Sequence, residues 1–404
     1  MKKTIVAFCI LYANITLAQT WIPGSTYFNS NTYVEYIFGN MPLIISAPHG
    51  GTIAPSTIPD RTATICGTSS VTTVTDSNTD DLARALDTSL RNLLGCRPHT
   101  IICRLDRIKI DLNREINEAT CGNAIAQTTW YNYHAYIDTA RKYILAKYGR
   151  GLFIDLHGHG HTKQRLEIGY LLTDSELRSS DTYLNSNSAV NNSSIKKLIG
   201  NNLGNVNHVE LLKGATAFGT MMANSGYPSV PSQQDPAPLS TDEYFNGGYN
   251  TARWGSRDSG LIDGFQIETN FTGVRNSTAN IKKFADSLAK VIKKYIETHI
   301  LTPAQLAQCQ ATTGVFNLSQ GLQRGLFSFY PNPVTTGNIN IQLNKNYQKI
   351  ILKLLDNKGS IIIQQSFLNS QQIKLSLPKQ LKGLFLLEIQ TDKAWEVQKI
   401  LINN

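Results

Sequence analysis

Several features that would assign this chain to particular classes of protein are missing from its sequence. After the first 20 residues, no run of apolar residues approaches the ~20 that a membrane-spanning helix requires. There is no Cys-x-x-Cys pair, which argues against a thiolate metal site, and no Gly-x-Ser-x-Gly sequence of the kind that carries a nucleophilic serine. The net charge of +9 is moderate and includes no long Lys/Arg run, so the sequence predicts no nucleic-acid partner.

The composition is that of a folded globular protein. Of the 404 residues, 41% are hydrophobic and 17% are charged. This apolar fraction can form a core, and the low charge excludes disorder as the general state of the chain. At roughly 150 residues per domain, the length allows two or three domains.

The first residues have the pattern of a secretory signal. Lys2 and Lys3 precede the apolar run 5–13, and small residues at positions 16 and 18 suit a signal peptidase. We therefore predict a signal peptide over residues 1–18 and a mature chain in an oxidising compartment. Five of the six cysteines remain in that mature chain, so at most two disulfides and one free thiol are expected, and their pairing stays open.

Short apolar runs alternate with amphipathic runs between residues 19 and 300. Four apolar runs predict buried strands: 43–47, 100–103, 152–156 and 265–268. Three amphipathic runs predict helices: 81–94, 130–148 and 281–299. This alternation favours an α/β fold with a mixed, largely parallel sheet flanked by helices. The segment 177–249 is rich in Asn, Ser, Gly and Pro, and we interpret it as long loops with one helix near 193–203.

The pattern of the sequence changes after residue 300. Residues 301–326 contain Gln, Thr and Gly without a clear period, and we predict a linker there. From residue 327 to residue 404, short β-type runs are separated by Asn-Lys-Gly and Lys-Gly turns, which predicts a small all-β sandwich. The predicted main domain therefore covers residues 19–300.

Two histidines directly follow predicted strands. His49 comes after the strand 43–47, and His157 comes after the strand 152–156, in a segment where histidines recur at 159 and 161. The carboxyl ends of parallel strands are where α/β sheets bind ligands. Imidazole is the commonest metal ligand, and a catalytic zinc takes three protein ligands and water. A carboxylate is expected as the third ligand, from one of four nearby residues: Asp60, Asp76, Asp80 and Asp81.

Other charged residues also lie near predicted strand ends. In the run 106–114, Asn113 and Arg114 have the donors to clamp a carboxylate. Glu268 ends the strand 265–268, where a carboxylate beside a metal is placed to take a proton from water. The alternatives are a solvated loop for 106–114 and a solvent-facing carboxylate for Glu268.

Five short motifs occur in one order: Ser-Ala-Pro-His-Gly-Gly at 46–51, Asp-Ser-Asn-Thr at 76–79, Asp-Leu-Asn-Arg at 111–114, Asp-Leu-His-Gly at 155–158 and Gln-Ile-Glu at 266–268. In this order they resemble the N-formylglutamate amidohydrolase family, relatives of the zinc carboxypeptidases, over roughly residues 40–290. The resemblance implies a catalytic domain of zinc carboxypeptidase-like, phosphorylase/hydrolase-type fold over 19–300. It also implies roles for five residues: zinc ligands His49 and His157, carboxylate-binding Asn113 and Arg114, and general base Glu268.

The sequence departs from these relatives at one position. The carboxypeptidases place a Glu three residues after the first His, whereas this chain has Thr52. The acidic ligand must therefore come from farther along the chain. Asp76 is the preferred candidate because it precedes a helix that begins near residue 79, while Asp60 and Asp80 stay open. A plain helix N-cap is the alternative role for Asp76.

The resemblance implies a secreted zinc-dependent hydrolase that cleaves an amide or peptide bond next to a free carboxylate. Arg107 and His159 are expected on the substrate side, where they and His161 would stabilise the oxyanion or support the zinc ligands. Secretion favours peptides or cell-wall fragments over cytosolic N-formylglutamate as substrates. The alternative is a non-enzymatic surface protein that binds a ligand on the same scaffold.

The end of the chain carries a second set of motifs: Phe-Tyr-Pro-Asn-Pro-Val at 329–334, Asp-Asn-Lys-Gly at 356–359, Leu-Lys-Gly-Leu-Phe at 381–385 and Lys399. These resemble the C-terminal sorting domain of type IX secretion in Bacteroidetes. The resemblance implies a β-sandwich of about seven strands and the type IX secretion machinery as a partner. It also implies a location on the cell surface or outside the cell, reached through the periplasm and the outer membrane. A carbohydrate-binding module is the alternative, with Trp395 as its only tryptophan.

Overall fold

The computed structural model describes residues 20–258, 260, 262–310, 316–317, 326–335, 337–356, 361–378, 380–391 and 395–403. The predicted signal peptide, 1–18, lies outside the described residues. The chain divides into two compact units: a larger unit, Ile22–Val315, and a smaller unit of Met1–Trp21 with Phe316–Asn404. Among the described residues, no helix is long and apolar enough to cross a membrane.

The secondary structure up to residue 310 is mostly that of the larger unit. The strands are β1 (Thr20–Trp21), β2 (Thr26–Phe28), β3 (Val34–Ile37), β4 (Leu43–Ala47), β5 (His99–Cys103), β6 (Leu152–His159), β7 (Leu166–Gly169), β8 (Ser229–Val230) and β9 (Asp263–Asn270). The longer helices are α2 (Thr79–Leu94), α4 (Ala124–Tyr148) and α12 (Thr278–Tyr295), the last followed by a π-turn, Ile296–Ile300. The shorter helices are α1 (Ala63–Cys66), α3 (Ile116–Thr120), α5 (Asp174–Leu177), α6 (Asp181–Leu184), α7 (Asn187–Asn192), α8 (Lys196–Ile199), α9 (His208–Lys213), α10 (Phe218–Asn224), α11 (Tyr249–Trp254) and α13 (Pro303–Ala307).

Eight strands of the larger unit form one sheet in the order β2-β3-β5-β4-β6-β9-β7-β8. The central strands β5, β4, β6 and β9 run parallel, while β2, β3 and β7 pair antiparallel with their inner neighbours. The central strands are buried along almost their whole length, which suits their nearly continuous apolar sequences. Helices α2 and α4 pack against this centre, and α12 packs against α2. The predicted α/β fold with a mixed, largely parallel sheet is confirmed.

The segment 177–249 differs from its predicted form. In place of long loops with one helix near 193–203, it contains the short helices α6 to α10, and α8 is only four residues long. Side chains of Ser180, Ser186 and Asn207 accept hydrogen bonds from backbone N–H groups at the starts of three of these helices. Ser and Asn favour such caps, so the same polar residues that resemble a loop in the sequence begin separate short helices.

Two disulfides join residues of the larger unit, Cys66 to Cys121 and Cys96 to Cys309. Cys103 remains a free thiol, and its complete burial raises its pKa to about 12, which keeps it protonated and unreactive. Cys309 is buried in the core of the larger unit together with Leu306 of α13. The first part of the predicted linker, up to residue 310, therefore packs as part of the larger unit.

The smaller unit contains the strands β10 (Phe316–Asn317), β11 (Phe327–Tyr330), β12 (Asn338–Leu355), β13 (Ile361–Ser376), β14 (Lys382–Thr391) and β15 (Trp395–Asn403). β10 pairs with β1, and β11 to β15 form an antiparallel sheet. In that sheet β12 pairs with β11, β13 and β14, and β15 lies beyond β14. Alternating residues of β12 and β14 fill a separate apolar core. The predicted all-β character is confirmed. Among the described residues this sheet has five strands, whereas the resemblance implied a sandwich of about seven.

Candidate metal centre and cleft

The candidate residues gather at the carboxyl ends of the central parallel strands. His49 follows β4, His157 and His159 end β6, and Glu268 lies near the end of β9. The loops above these ends enclose a cleft of about 540 Å³. Among the residues that line it are His49, Asp76, Arg107, Arg114, His157 and Glu268. The strand-end positions read from the sequence therefore do meet in one place, where α/β sheets bind ligands.

Three buried side chains converge at the floor of this cleft. The Oδ2 atom of Asp76 lies 3.1 Å from Nδ1 of His157 and 3.5 Å from Nδ1 of His49. The three candidate ligand atoms all lie within 4.8 Å of one another. Two imidazole nitrogens and one carboxylate oxygen at this spacing are a donor set of the kind that zinc binds.

The other ring nitrogen of each histidine faces a second carboxylate. Nε2 of His49 lies 2.6 Å from Oδ1 of Asp111, and Nε2 of His157 lies 2.8 Å from Oδ2 of Asp155. Since a carboxylate accepts a proton-bearing nitrogen, each ring has its hydrogen on Nε2, which leaves Nδ1 as the atom that would bind a metal. Metal-ligating histidines in proteins are typically oriented by partners of this kind.

The fit of a metal to these residues is supported by an unpaired buried atom. Nδ1 of His49 is buried and has no hydrogen-bond partner among the described residues. A buried nitrogen without a hydrogen-bond partner reduces the free energy of unfolding, unless a ligand binds to it. Because this nitrogen carries its lone pair toward Asp76 and His157, a divalent cation is the ligand that suits it.

The charges at the centre favour ionised carboxylates. Burial by itself would raise the pKa of Asp76, but the hydrogen bond with His157 and the charges of His157 and His49 outweigh it and lower that pKa below its ordinary value. Burial would likewise raise the pKa of Asp111, yet the His49 and Arg107 charges hold it well below its usual range. For His157, burial opposes protonation, but the charge of Asp155 raises its pKa well above the ordinary value.

Asp76 reaches the histidines because its loop is tied to both of their strands. Its N–H donates to the carbonyl of His49 at 3.0 Å, and the N–H of Gly158 donates to its Oδ2 at 3.2 Å. Gly50 permits this approach, since a Cβ there would overlap Thr79 and Asp80. Asp76 is not the N-cap of α2, which is Asn78.

The other acidic candidates lie outside this cluster. Asp60 is 53% exposed and pairs with Lys109 at 2.5 Å. Asp80 and Asp81 both pair with Arg84 on the surface of α2. Of the four acids considered from the sequence, the structure brings only Asp76 to the two histidines.

Glu268 lies beside this centre with one oxygen unused. In the parallel pairing of β6 and β9, Glu268 is the partner of His157. Its Oε1 accepts a hydrogen bond from Gln266 at 2.9 Å, while its Oε2 is buried without a partner. Burial raises the pKa of Glu268 to about 8; the charges of Asp76 and Glu167 add to the rise, and His157 opposes it. A carboxylate with this pKa can both take and return a proton near neutral pH.

The residues predicted to bind a carboxylate have several contacts within the protein. Arg107 pairs with Asp111 at 3.1 Å and with Asp76 at 3.4 Å, so it supports the candidate ligands directly. Arg114 is about one-third exposed, and its Nε donates to Glu118 at 3.0 Å. Asn113 is buried, and its Oδ1 accepts the N–H of Asn250 at 2.8 Å. Arg107, Asn113 and Arg114 all line the cleft.

His159 lines the cleft as well, but both of its ring nitrogens are engaged. Nε2 donates to the carbonyl of Arg165 at 2.8 Å, and Nδ1 accepts the N–H of His161 at 3.1 Å. Burial lowers the pKa of His159, which suits this neutral arrangement. In this conformation the ring shapes the end of β6 and leaves no free nitrogen for a substrate.

Sequence reasoning assigned no role to Asp111, Asp155 or Arg275. For Asp155 a signal was present, because residues two apart on a strand share a face, and Asp155 and His157 therefore adjoin. Arg275 is buried, and its guanidinium donates to the carbonyls of Ser77, His159 and Thr269. It holds the Asp76 loop against β6 and β9, and nothing in the local sequence around Arg275 predicts that contact.

Comparisons with known proteins identify the end of the chain. Residues 328–403 match the family model of the secretion system C-terminal sorting domain. This match confirms the predicted sorting domain and, with it, handling by the type IX secretion machinery and a location on the cell surface or outside the cell.

A comparison with solved structures yields a distant structural similarity. The chain is similar to the solved structure of N-formylglutamate amidohydrolase from Ralstonia eutropha JMP134, at 14% sequence identity and a TM-score of 0.37, over 62% of this chain and 91% of that chain. That protein belongs to the family that the five sequence motifs resemble. A search of curated proteins found no match.

Proposed function

We propose that the larger unit is a zinc-dependent hydrolase that cleaves an amide or peptide bond next to a free carboxylate. One observation carries the proposal: Nδ1 of His49, Nδ1 of His157 and Oδ2 of Asp76 converge, while a carboxylate holds the other nitrogen of each ring. This arrangement combines a donor set for zinc with the partners that orient it.

His49, Asp76 and His157 would hold the metal through those three atoms. When bound, zinc supplies a Lewis acid that polarises a carbonyl group and makes water more acidic. The side chains of Asp111 and Asp155 keep the two rings in the required tautomer. Arg107 balances the buried negative charge of Asp76 and Asp111.

Glu268 would act as the general base. Its buried Oε2 has no other hydrogen-bond partner, and its raised pKa suits proton transfer near neutral pH. The carboxylate takes a proton from the attacking water. Glu268 is only 5% exposed, which is inconsistent with a carboxylate that faces solvent.

Arg114 would bind the carboxylate of the substrate at the mouth of the cleft. Its guanidinium lies at the cleft wall and uses Nε and Nη1 within the protein, for Glu118 and the carbonyl of Asn113. The remaining edge can donate to a carboxylate. Because the sorting domain directs the chain out of the cell, we infer peptides or cell-wall fragments as the substrate class.

The test is a kinetic comparison of wild type with Glu268→Gln on a panel of N-acyl amino acids and dipeptides. Gln is nearly isosteric but cannot take a proton, so we expect unchanged zinc content, little change in KM and a loss of kcat of about 10²–10⁴-fold. Glu297→Gln is the matched control, since Glu297 pairs with Lys293 outside the cleft. Unchanged kcat in Glu268→Gln would refute the assigned base. A wild-type protein that cleaves no member of the panel and binds its members unchanged would support the ligand-binding alternative.

A further inference from the structure

A second group of histidines lies in the same cleft, away from the candidate metal ligands. Ligand atoms of His159, His161 and Glu167 also lie within 4.8 Å of one another. This group does not have the free donors of a metal site, because both ring nitrogens of His159 are engaged by Arg165 and by the backbone of His161. What remains is a pair, His161 with Glu167.

His161 is held firmly on three sides. Its backbone N–H donates to His159, and its Nδ1 lies 2.8 Å from Oε1 of Glu167. Its ring packs against the ring of Phe245, with the centroids 4.6 Å apart and the planes at 31°. Glu167 is fully buried, and its second oxygen, Oε2, accepts the N–H of Phe245 at 2.8 Å. The pair is therefore pre-organised before any substrate binds.

The pairing leaves one nitrogen of His161 available to the cleft. Nδ1 donates its hydrogen to Glu167, so the other ring nitrogen, Nε2, lies on the edge of the ring that faces away from Glu167. Among the residues that the structure describes, none forms a hydrogen bond with Nε2, and His161 lines the cleft. A carboxylate that orients a histidine at Nδ1 and balances its charge, while Nε2 faces the substrate, is the arrangement of a general acid–base histidine.

The sheet register places this pair beside the candidate base. Across the neighbouring strands β6, β9 and β7, His157 is the partner of Glu268, and Glu268 is the partner of Glu167. Cross-strand partners share a face of the sheet, so the three side chains form a row. The candidate metal ligand and the His161–Glu167 pair thus lie on opposite sides of Glu268.

We propose that His161 is a further catalytic residue, which protonates the leaving nitrogen, and that Glu167 is its positioning residue. The inference rests on the proposed hydrolase function. Water adds to the carbonyl carbon and gives one proton to Glu268; the C–N bond breaks, and its electron pair takes the proton from Nε2 of His161. Glu268 then returns its proton to His161 through solvent, so that water and amide have become carboxylic acid and amine.

The dependence on the leaving group tests this role. The probes are an N-acyl amino acid and the matched thioester, in which a sulfur replaces the scissile nitrogen. An amine must be protonated to leave, whereas a thiol with a pKa near ~8.5 can leave as the thiolate. For His161→Gln we expect a loss of kcat of at least about 10²-fold on the amide, little change in KM, and a loss on the thioester of less than about 3-fold.

Two further variants separate this role from a structural one. Glu167→Gln should show a smaller loss with the same preference for the thioester. Thr162→Ala, an exposed neighbour that does not line the cleft, should match wild type on both probes. Zinc content should be unchanged in all three variants. If His161→Gln loses kcat equally on the amide and the thioester, or loses none, the role of His161 is overturned. The proposed hydrolase function still stands in that case, provided that the wild type cleaves the probes. A wild type that cleaves neither probe and retains no zinc would overturn both.

Discussion

The carboxylate of Asp155 allows a direct test of how the histidine ligands are held. Its Oδ2 accepts the Nε2–H of His157, and its Oδ1 accepts hydrogen bonds from Ser46 and Asn250. In the described part of the chain, no Lys or Arg forms an ion pair with Asp155. Asp155→Asn therefore removes a negative charge without breaking an ion pair to a Lys or Arg. Asp111→Asn would be less clean, because Arg107 would lose a partner.

The expected size of the effect follows from that single contact. The amide oxygen of Asn can still accept the Nε2–H of His157, but it carries no charge and so makes Nδ1 a weaker donor to a metal. Loss of such a partner typically weakens metal binding by about 10–100-fold, or about 1.4–2.7 kcal/mol. The free energy of unfolding of the metal-free protein should fall by about 1–3 kcal/mol, because a charged hydrogen bond becomes a neutral one.

The assay is a titration of zinc against a competing chelator on wild type and Asp155→Asn. Circular dichroism and urea unfolding of the same metal-free samples measure the stability separately. Asp60→Asn is the control, since Asp60 is half-exposed and pairs with Lys109. Its zinc affinity should equal that of wild type. A folded Asp155→Asn protein whose zinc affinity lies within about 2-fold of wild type would refute the role given to this carboxylate.

Three further predictions concern binding, stability and export. Arg114→Ala should raise KM strongly for substrates with a free carboxylate and little for their amides. The control, Arg178→Ala, also breaks an i,i+4 ion pair and should leave KM unchanged. Equal effects of Arg114→Ala on both substrate types would contradict its role in binding the carboxylate. Burial lowers the pKa of His99 from 6.5 to about 3. Between these two pH values the unfolded chain binds a proton at His99 that the folded chain does not, so the free energy of unfolding should fall as the pH drops from 6.5 towards 3. His99→Asn, compared with wild type by urea unfolding, should remove about 2 kcal/mol of that fall between pH 6.5 and 4.5, and identical pH profiles would refute it. Deletion of residues 327–404 should leave a folded, zinc-binding protein in the periplasm, as checked by cell fractionation; an insoluble product would show that the smaller unit is needed for folding.

Local sequence pattern was sufficient to predict the central strands and which side chains meet at their ends. The apolar runs of β4 and β6 are continuous because both faces of the sheet are covered, and each run stops where a histidine begins. His49, His157 and Glu268 could therefore be predicted to meet. Asp76 could be preferred but not fixed, because its position depends on the loop that Gly50 and Arg275 hold in place.

Other features depend on contacts between distant segments and left no local signal. Glu167 meets Glu268 only because β7 pairs antiparallel with β9, a pairing that the sequence of β7 does not specify. The Cys96–Cys309 disulfide joins residue 309 to the larger unit, although the sequence loses its hydrophobic periodicity after residue 300 and a linker was predicted there. His159 and His161 alternate in sequence with His157, yet His159 bonds to the backbone and His161 faces the cleft. Spacing alone does not distinguish these roles.

The metal content of purified protein tests the central claim most directly. Elemental analysis after growth with zinc should give about one zinc per chain for wild type, since three protein ligands make one catalytic site. His49→Ala and His157→Ala should each retain almost none, while His161→Ala should retain as much as wild type. A wild-type protein without zinc, or variants of His49 and His157 that keep it, would contradict the assignment of the centre.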